Sequence, residues 1–195
     1  MSHLNIAEWN ANGLAHSKKH IPFTSLLRRH NILCITETHC CPKKQKKMQR
    51  SLIPYAHSHT ILWSHGSSSS RGVLVVIKKS PLLQIISHKS DTKGRWVLVK
   101  IFLPHLKQEL DLLTIYSPAN SDSDRVKFFT DLELTPNTII VGDFNVVLDP
   151  LADRLFAAKL SSSASRNKLV SLMQSFNLID IWRHLHPQTI DFTYL

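Results

Sequence analysis

The stretch Thr138-Ile139-Ile140-Val141-Gly142-Asp143-Phe144-Asn145 decides how this chain is read. Its first four residues are apolar or β-branched and too few for a helix, the pattern of a buried strand. Gly142, without a side chain, allows close backbone approach where the strand ends. Asp143 and Asn145 are two apart, which in extended backbone points both to one side while Phe144 turns to the opposite face to pack. A buried strand is a costly place to deliver an acid unless a cation or a hydrogen-bond donor compensates it, so Asp143 is a candidate functional carboxylate.

Three further polar clusters stand where apolar runs end: Glu8-Trp9-Asn10-Ala11-Asn12-Gly13, Thr36-Glu37-Thr38-His39 and Tyr116-Ser117-Pro118-Ala119-Asn120. Polar groups at strand exits are the usual material of an active site on a rigid scaffold. Carboxylates such as Glu37 and Asp143 suit a hard cation. Asn10, Tyr116 and Asn145 hold a phosphate or a water without adding charge. Mg²⁺ takes one or two carboxylates and keeps waters and phosphate oxygens for its other positions, so a sparse acid set suffices. The chemistry expected is metal-assisted work on phosphate. Taken singly, each residue also has an ordinary reading: Glu37 as a surface acid, Tyr116 as a half-buried strand tyrosine, Asn12-Gly13 as a turn.

The order and wording of these clusters resemble the endonuclease/exonuclease/phosphatase superfamily, the deoxyribonuclease-I-like and apurinic-endonuclease-like phosphodiesterases. Further pieces narrow the resemblance: Arg71-Gly72-Val73, Gly94-Arg95-Trp96, Asp153-Arg154-Leu155, Asp180 to Pro187, and Asp191-Phe192-Thr193-Tyr194. They are similar to the endonuclease domain of LINE-type non-LTR retrotransposons, from about Asn5 to Leu195. The resemblance implies an α/β fold, specifically a four-layer α/β/β/α sandwich. It also implies a Mg²⁺-dependent, or Mn²⁺-dependent, DNA endonuclease that nicks one strand by in-line attack of water. It places Glu37 as principal metal ligand with Asn10 orienting the metal site, Tyr116 on the scissile phosphate, Asp143 activating the water and Asn145 on phosphate or water. Thr193 falls where the family has a threonine near the site. The family pattern continues with Ser-Arg/Lys-Ile-Asp and Ser-Asp-His segments that these 195 residues do not contain. The expectation is therefore one domain over 1–195 that lacks its last strands and the family's histidine, and that nicks plasmid very slowly or not at all. Two rivals are a non-catalytic nucleic-acid-binding remnant and a phosphatase or phosphodiesterase of the same fold.

Composition agrees with a nucleic-acid partner. Lys and Arg number 24 against 14 Asp and Glu, a formal charge of +10, and 12 histidines add to it below neutral pH. Neutralising phosphates supplies most sequence-independent affinity for DNA. Arg71 and Arg95, at the starts of strands, reach the phosphate backbone or are simply solvated. Lys18-Lys19 and the basic run Lys43 to Lys47 serve as nuclear addresses, phosphate contacts or plain surface. The three cysteines, Cys34, Cys40 and Cys41, form no zinc pattern, and the His57/His59 and His184/His186 pairs lack the four-ligand spacing. This cysteine usage suggests a reduced intracellular compartment, and the basic runs make it nuclear on this reading. No signal-peptide pattern and no run of eighteen apolar residues is read, so no membrane role and no small-molecule cofactor is expected.

Strands are predicted at Leu4 to Trp9, Ile32 to Thr36, Ile61 to Ser64, Gly72 to Lys78, Trp96 to Phe102, Asp111 to Tyr116 and Thr138 to Val141. Helices are predicted after Pro22, over Asp122 to Glu133, and around Leu169 to Phe176. The serine-rich segment His65 to Arg71 reads as a hairpin loop, and Asp180 and Trp182 as residues closing the core after the last helix.

Overall fold

A computed structural model describes residues 3–43, 52–150 and 163–189. The chain divides into two compact units, Met1–Tyr116 with Asn137–Asp143, and Ser117–Pro136 with Phe144–Leu195. Among the described residues, no helix is long and apolar enough to cross a membrane.

The first unit holds two four-stranded sheets. One has the order β1-β2-β4-β3, from Ile6–Asn10, Ile32–Thr36, Val73–Lys78 and His59–Ser64. The other runs β5-β6-β7-β8, from Gln84–Ser90, Trp96–Leu103, Gln108–Tyr116 and Thr138–Asp143. β2 is buried at all five positions, as its unbroken apolar run demands, whereas β6 alternates strictly. Val97, Val99, Ile101 and Leu103, the buried set of β6, join Ile32, Cys34, Val73, Val75 and Ile77 of the first sheet in one core between the sheets. The opposite face of the first sheet, with Leu33, Ile35, Leu74 and Val76, packs against Phe23 and Leu27 of helix α1, His20–Arg29. Pro22 sits in the first turn of α1, where no intrahelical donor is lost.

The second unit contains α2, Asp122–Thr130, α3, Ala164–Phe176, and the short α4, Ile181–Leu185. Serine caps start α2 and α3: Ser121 Oγ accepts from the Asp124 amide at 3.1 Å, and Ser163 Oγ from that of Arg166 at 3.3 Å. Asn177 closes α3 in a left-handed conformation, φ 52°.

The fold is α/β with two sheets. Several local expectations change. β5 adds a strand beyond those expected: Gln-Ile-Ile-Ser-His-Lys-Ser is a mostly exposed edge strand, and its two isoleucines are too short an apolar run to announce it. β8 extends to Asp143 and stops there, and Asn145 has a left-handed φ of 49°, so strand alternation does not relate Asp143 to Asn145. The predicted helix Asp122 to Glu133 ends at Thr130, with Asp131 as its cap. Trp182 does not close a core: it is 43% exposed and lies against His186, ring centres 4.2 Å apart, while Asp180 caps α4 through the Arg183 amide at 3.0 Å. Thr193, Asp153-Arg154-Leu155, Asp191 to Tyr194, and Lys44, Lys46 and Lys47 lie outside the described residues.

Candidate active site

Two parallel pairings bring strand exits together. β1 lies parallel to β2 with Asn10 opposite Thr36, and β7 parallel to β8 with Tyr116 opposite Asp143. Each pair therefore ends in the same direction. Side chains then link the two sheets. Asn10 Nδ2 donates to Asp143 Oδ2 at 3.0 Å, joining the exits of β1 and β8. The Tyr116 hydroxyl donates to the Glu37 carboxylate, joining β7 to the segment after β2.

The backbone under Glu37 is unusual. Glu37 and His39 both have left-handed φ, 50° and 49°, a conformation that costs a non-glycine residue roughly 1–3 kcal/mol and persists only where its surroundings impose it. Here they do. On one side the amides of Ala11, Gly13 and Leu14 donate to the carbonyls of Thr36, Glu37 and Thr38, at 3.0, 2.7 and 3.0 Å. On the other, the amides of Thr38 and His39 donate to the carbonyls of Gly72 and Arg71, at 3.1 and 2.9 Å. The β1 loop is pinned in turn by Lys19, whose Nζ donates to the carbonyls of Ala11 and Asn12. Lys19 is thus a clamp, while Lys18 is exposed. His39 Nε2 stands 3.7 Å from Glu37 Oε2.

Gly142 has φ +128°, and a Cβ there would meet the Ile115 carbonyl oxygen at 2.1 Å. Only glycine lets β8 lie this close to β7 and deliver Asp143 beside Tyr116. Burial, the Glu37 hydrogen bond and the charges of Glu37 and Asp143 push the Tyr116 hydroxyl well above its ordinary pKa, so it stays protonated and a donor. Deeper along β2, burial pushes the Cys34 thiol up to about 12, which makes it an inert core residue.

Glu8, in the first polar cluster, has no role among the sequence-based expectations. It shares a face of β1 with Asn10, two residues on, and its Oε1 accepts from Thr36 Oγ1 at 3.1 Å. The residue as a whole is exposed, but its carboxyl end is enclosed enough that burial raises its pKa; the Asp143 charge adds to this, against the lowering effect of Thr36. The i, i+2 spacing from Asn10 was the available signal.

Asn145 belongs to the second unit. Its Nδ2 donates to the Ser117 carbonyl at 3.1 Å, and Ser117 Oγ donates to the Phe144 carbonyl. Arg125 of α2 holds the next carbonyls, Pro118 at 3.1 Å and Ala119 at 2.8 Å. Asp122 accepts from Ser163 Oγ at 2.8 Å, Ser165 Oγ at 2.5 Å and Arg125 at 3.2 Å. Ser165 first, then Ser163 and Arg125, hold its carboxyl down to about 2.

Of the expected nucleic-acid contacts, Arg71 is half-buried with a left-handed φ of 63°, and Arg95 lies over the Tyr116 ring at 5.2 Å. Among the described residues, no three His, Cys, Asp or Glu side chains gather as a metal cage. The donors near the exits are oxygens of Glu37, Asp143 and Asn10, a set that fits a cation needing few protein ligands.

A family model described as the Endonuclease/Exonuclease/phosphatase family matches residues 7–195. The chain belongs to this family. It is 28% identical over 201 residues to the "Transposon TX1 uncharacterized 149 kDa protein" of Xenopus laevis, a match covering 98% of this chain and 14% of that protein. The chain therefore spans only a small part of that relative's length. Among solved structures, it is similar to an AP endonuclease from Archaeoglobus fulgidus, with TM-score 0.70 and 19% identity, over 99% of this chain and 78% of that one. It is also similar to the 3′ phosphatase NExo from Neisseria, solved bound to product DNA hairpin, with TM-score 0.61 and 16% identity, over 96% of this chain and 76% of that one. At these identities the likeness establishes the fold. The family match agrees with hydrolytic nuclease or phosphatase chemistry, and the transposon relative agrees with the retroelement resemblance.

Proposed function

We propose that the chain is a Mg²⁺-dependent DNA endonuclease domain of a retroelement, with Asn10, Glu37, Tyr116 and Asp143 as its working set and Asn145 as a phosphate or water ligand. The observation that carries this is the Asn10 to Asp143 hydrogen bond, 3.0 Å, between exits of strands in different sheets. A fold has no structural need to end two separate strands in a matched amide and carboxylate beside a second acid and a tyrosine.

The chemistry assigns itself by group. Glu37 and the Asn10 carbonyl oxygen offer hard donors for the cation, which when bound neutralises phosphate charge and polarises the P–O bond. The Asp143 carboxylate, oriented by the Asn10 amide, accepts the proton of the attacking water. The Tyr116 hydroxyl, held protonated, donates to Glu37 in the free protein and turns that one proton to a phosphate oxygen when substrate is bound, which positions and stabilises the phosphate. The Asn145 amide, oriented by the Ser117 carbonyl, contributes a neutral contact. Net positive charge draws the DNA in.

The test is relaxation of supercoiled plasmid by the purified chain with Mg²⁺, with excess chelator, and with Asp143→Ala. Chelator-sensitive nicking that the variant lacks is expected, slow or undetectable for these 195 residues and full once they are extended through the family's Ser-Arg/Lys-Ile-Asp and Ser-Asp-His segments. No nicking by the extended chain, or nicking indifferent to chelator and to Asp143→Ala, would defeat the proposal.

A further inference from the structure

The turn before β6 contains a polar arrangement that the proposed chemistry leaves unused. Asp91 opens it. Its carboxylate accepts three backbone amides, Lys93 at 3.0 Å, Arg95 at 2.9 Å and Trp96 at 3.1 Å. Ser64, at the end of β3, donates its hydroxyl to the Asp91 carbonyl at 2.9 Å and to the carboxylate. The turn closes over Gly94, where φ is +74° and a Cβ would meet the Gly66 backbone at 2.7 Å. One carboxylate thus fixes the backbone from Lys93 to Trp96 and locks it against the neighbouring hairpin.

What this turn presents is Arg95. The Arg95 carbonyl accepts from the Tyr116 amide at 2.7 Å, and the Arg95 guanidinium returns a bond to the Tyr116 carbonyl at 3.3 Å. The same guanidinium lies 5.2 Å from the centre of the Tyr116 ring. Tyr116 is therefore gripped at its amide, its carbonyl and its ring by one residue, while its hydroxyl is bonded to Glu37. A planar, delocalised cation suits this task because it can stack and donate at once, and a lysine cannot.

We propose that Arg95, preset by the Asp91 turn, is a positioning residue for Tyr116: it holds the ring where the hydroxyl meets Glu37, in place of acting as a contact to the DNA backbone. The proposal deepens the nuclease reading of the same site and rests on it for its kinetic consequences. The side-chain placement is testable without catalysis.

Two measurements decide it, on Arg95→Ala, Arg95→Lys and Lys93→Ala, the last removing a neighbouring charge from an exposed side chain. The first is the aromatic NMR spectrum of the protein labelled at its three tyrosines. Both Arg95 variants should move the Tyr116 ring signals while Lys93→Ala leaves them in place. Tyr116 signals that coincide with wild type in Arg95→Ala would overturn the proposal whether or not the protein cuts DNA. The second is nicking and duplex binding across salt. Arg95→Ala should lower the maximal nicking rate about 10- to 100-fold, with unchanged salt dependence of binding, and Arg95→Lys should not restore it. Restoration by lysine, with a loss of about one phosphate from the salt slope in Arg95→Ala, would identify a backbone contact and overturn the positioning role. If the chain fails to nick even when extended through the family's last segments, the nuclease reading fails, and the NMR result still decides whether Arg95 sets Tyr116.

Discussion

Between the two sheets, Ile32, Val75, Val99, Ile101 and Leu112 are buried side chains without polar atoms, set in regular extended backbone. A few residues further along β1, β2, β7 and β8 the composition inverts to Asn10, Glu37, Tyr116 and Asp143, in backbone that turns left-handed at Glu37 and His39. The comparison separates two kinds of requirement. The core asks for volume and tolerates many apolar solutions. The exits ask for particular groups in particular conformations, and the strain is offset by backbone hydrogen bonds from both flanking segments.

Substitutions on either side of that divide should therefore fail differently. The largest effect expected is on cleavage from Asp143→Ala, a loss on the order of 10³-fold or more in plasmid nicking, with the melting temperature nearly unchanged. A stability loss there comparable to a core truncation would blur the distinction. Ile101→Ala is its counterpart: about 2–5 kcal/mol of unfolding free energy lost in a urea titration, with the folded fraction still binding DNA normally. Gly142→Ala crosses the divide, since its added methyl would meet the Ile115 carbonyl at 2.1 Å. It should cost about 1–3 kcal/mol by the same titration and displace Asp143.

How much of this was legible in the sequence differs between the same two regions. β2, β4 and β6 announce themselves by apolar runs and alternation, and the strand exits by polar residues at their ends. The mostly exposed edge strand β5 does not, because Ile85-Ile86 is too short an apolar stretch among polar residues to separate it from a loop. The candidate residues Asn10, Glu37, Tyr116 and Asp143 came from position and resemblance. Their cross-sheet bonds, the role of Lys19 as a clamp and the placement of Arg95 on Tyr116 depend on tertiary register, which one sequence does not encode locally. Asn145 shows the reverse error: its spacing from Asp143 suggested strand alternation, and the left-handed turn after β8 overrides it.

Smaller effects sharpen the picture. Asn10→Ala should slow nicking about 10- to 100-fold by releasing the Asp143 carboxylate, with little change in duplex affinity measured by fluorescence anisotropy. In the second unit, Asp122→Asn removes a purely structural acceptor. Its folded pKa, about 2, lies below the ordinary carboxylate value, so its stabilisation is present above pH 4 and is lost as pH falls toward 2. The side chain is 41% exposed, so screening limits the contribution to about 1 kcal/mol. Thermal melts should show wild type above Asp122→Asn at pH 7, with the gap closing near pH 2.

The claim that the strand exits form one cation-dependent site is tested most directly by locating a cation. Crystals soaked in Mn²⁺ should give an anomalous peak at bonding distance, about 2.2 Å, from a Glu37 carboxylate oxygen and beside the linked Asn10 and Asp143 side chains. The peak should be absent in Glu37→Gln. A Mn²⁺ peak remote from Glu37, or one that persists unchanged in Glu37→Gln, would contradict the account.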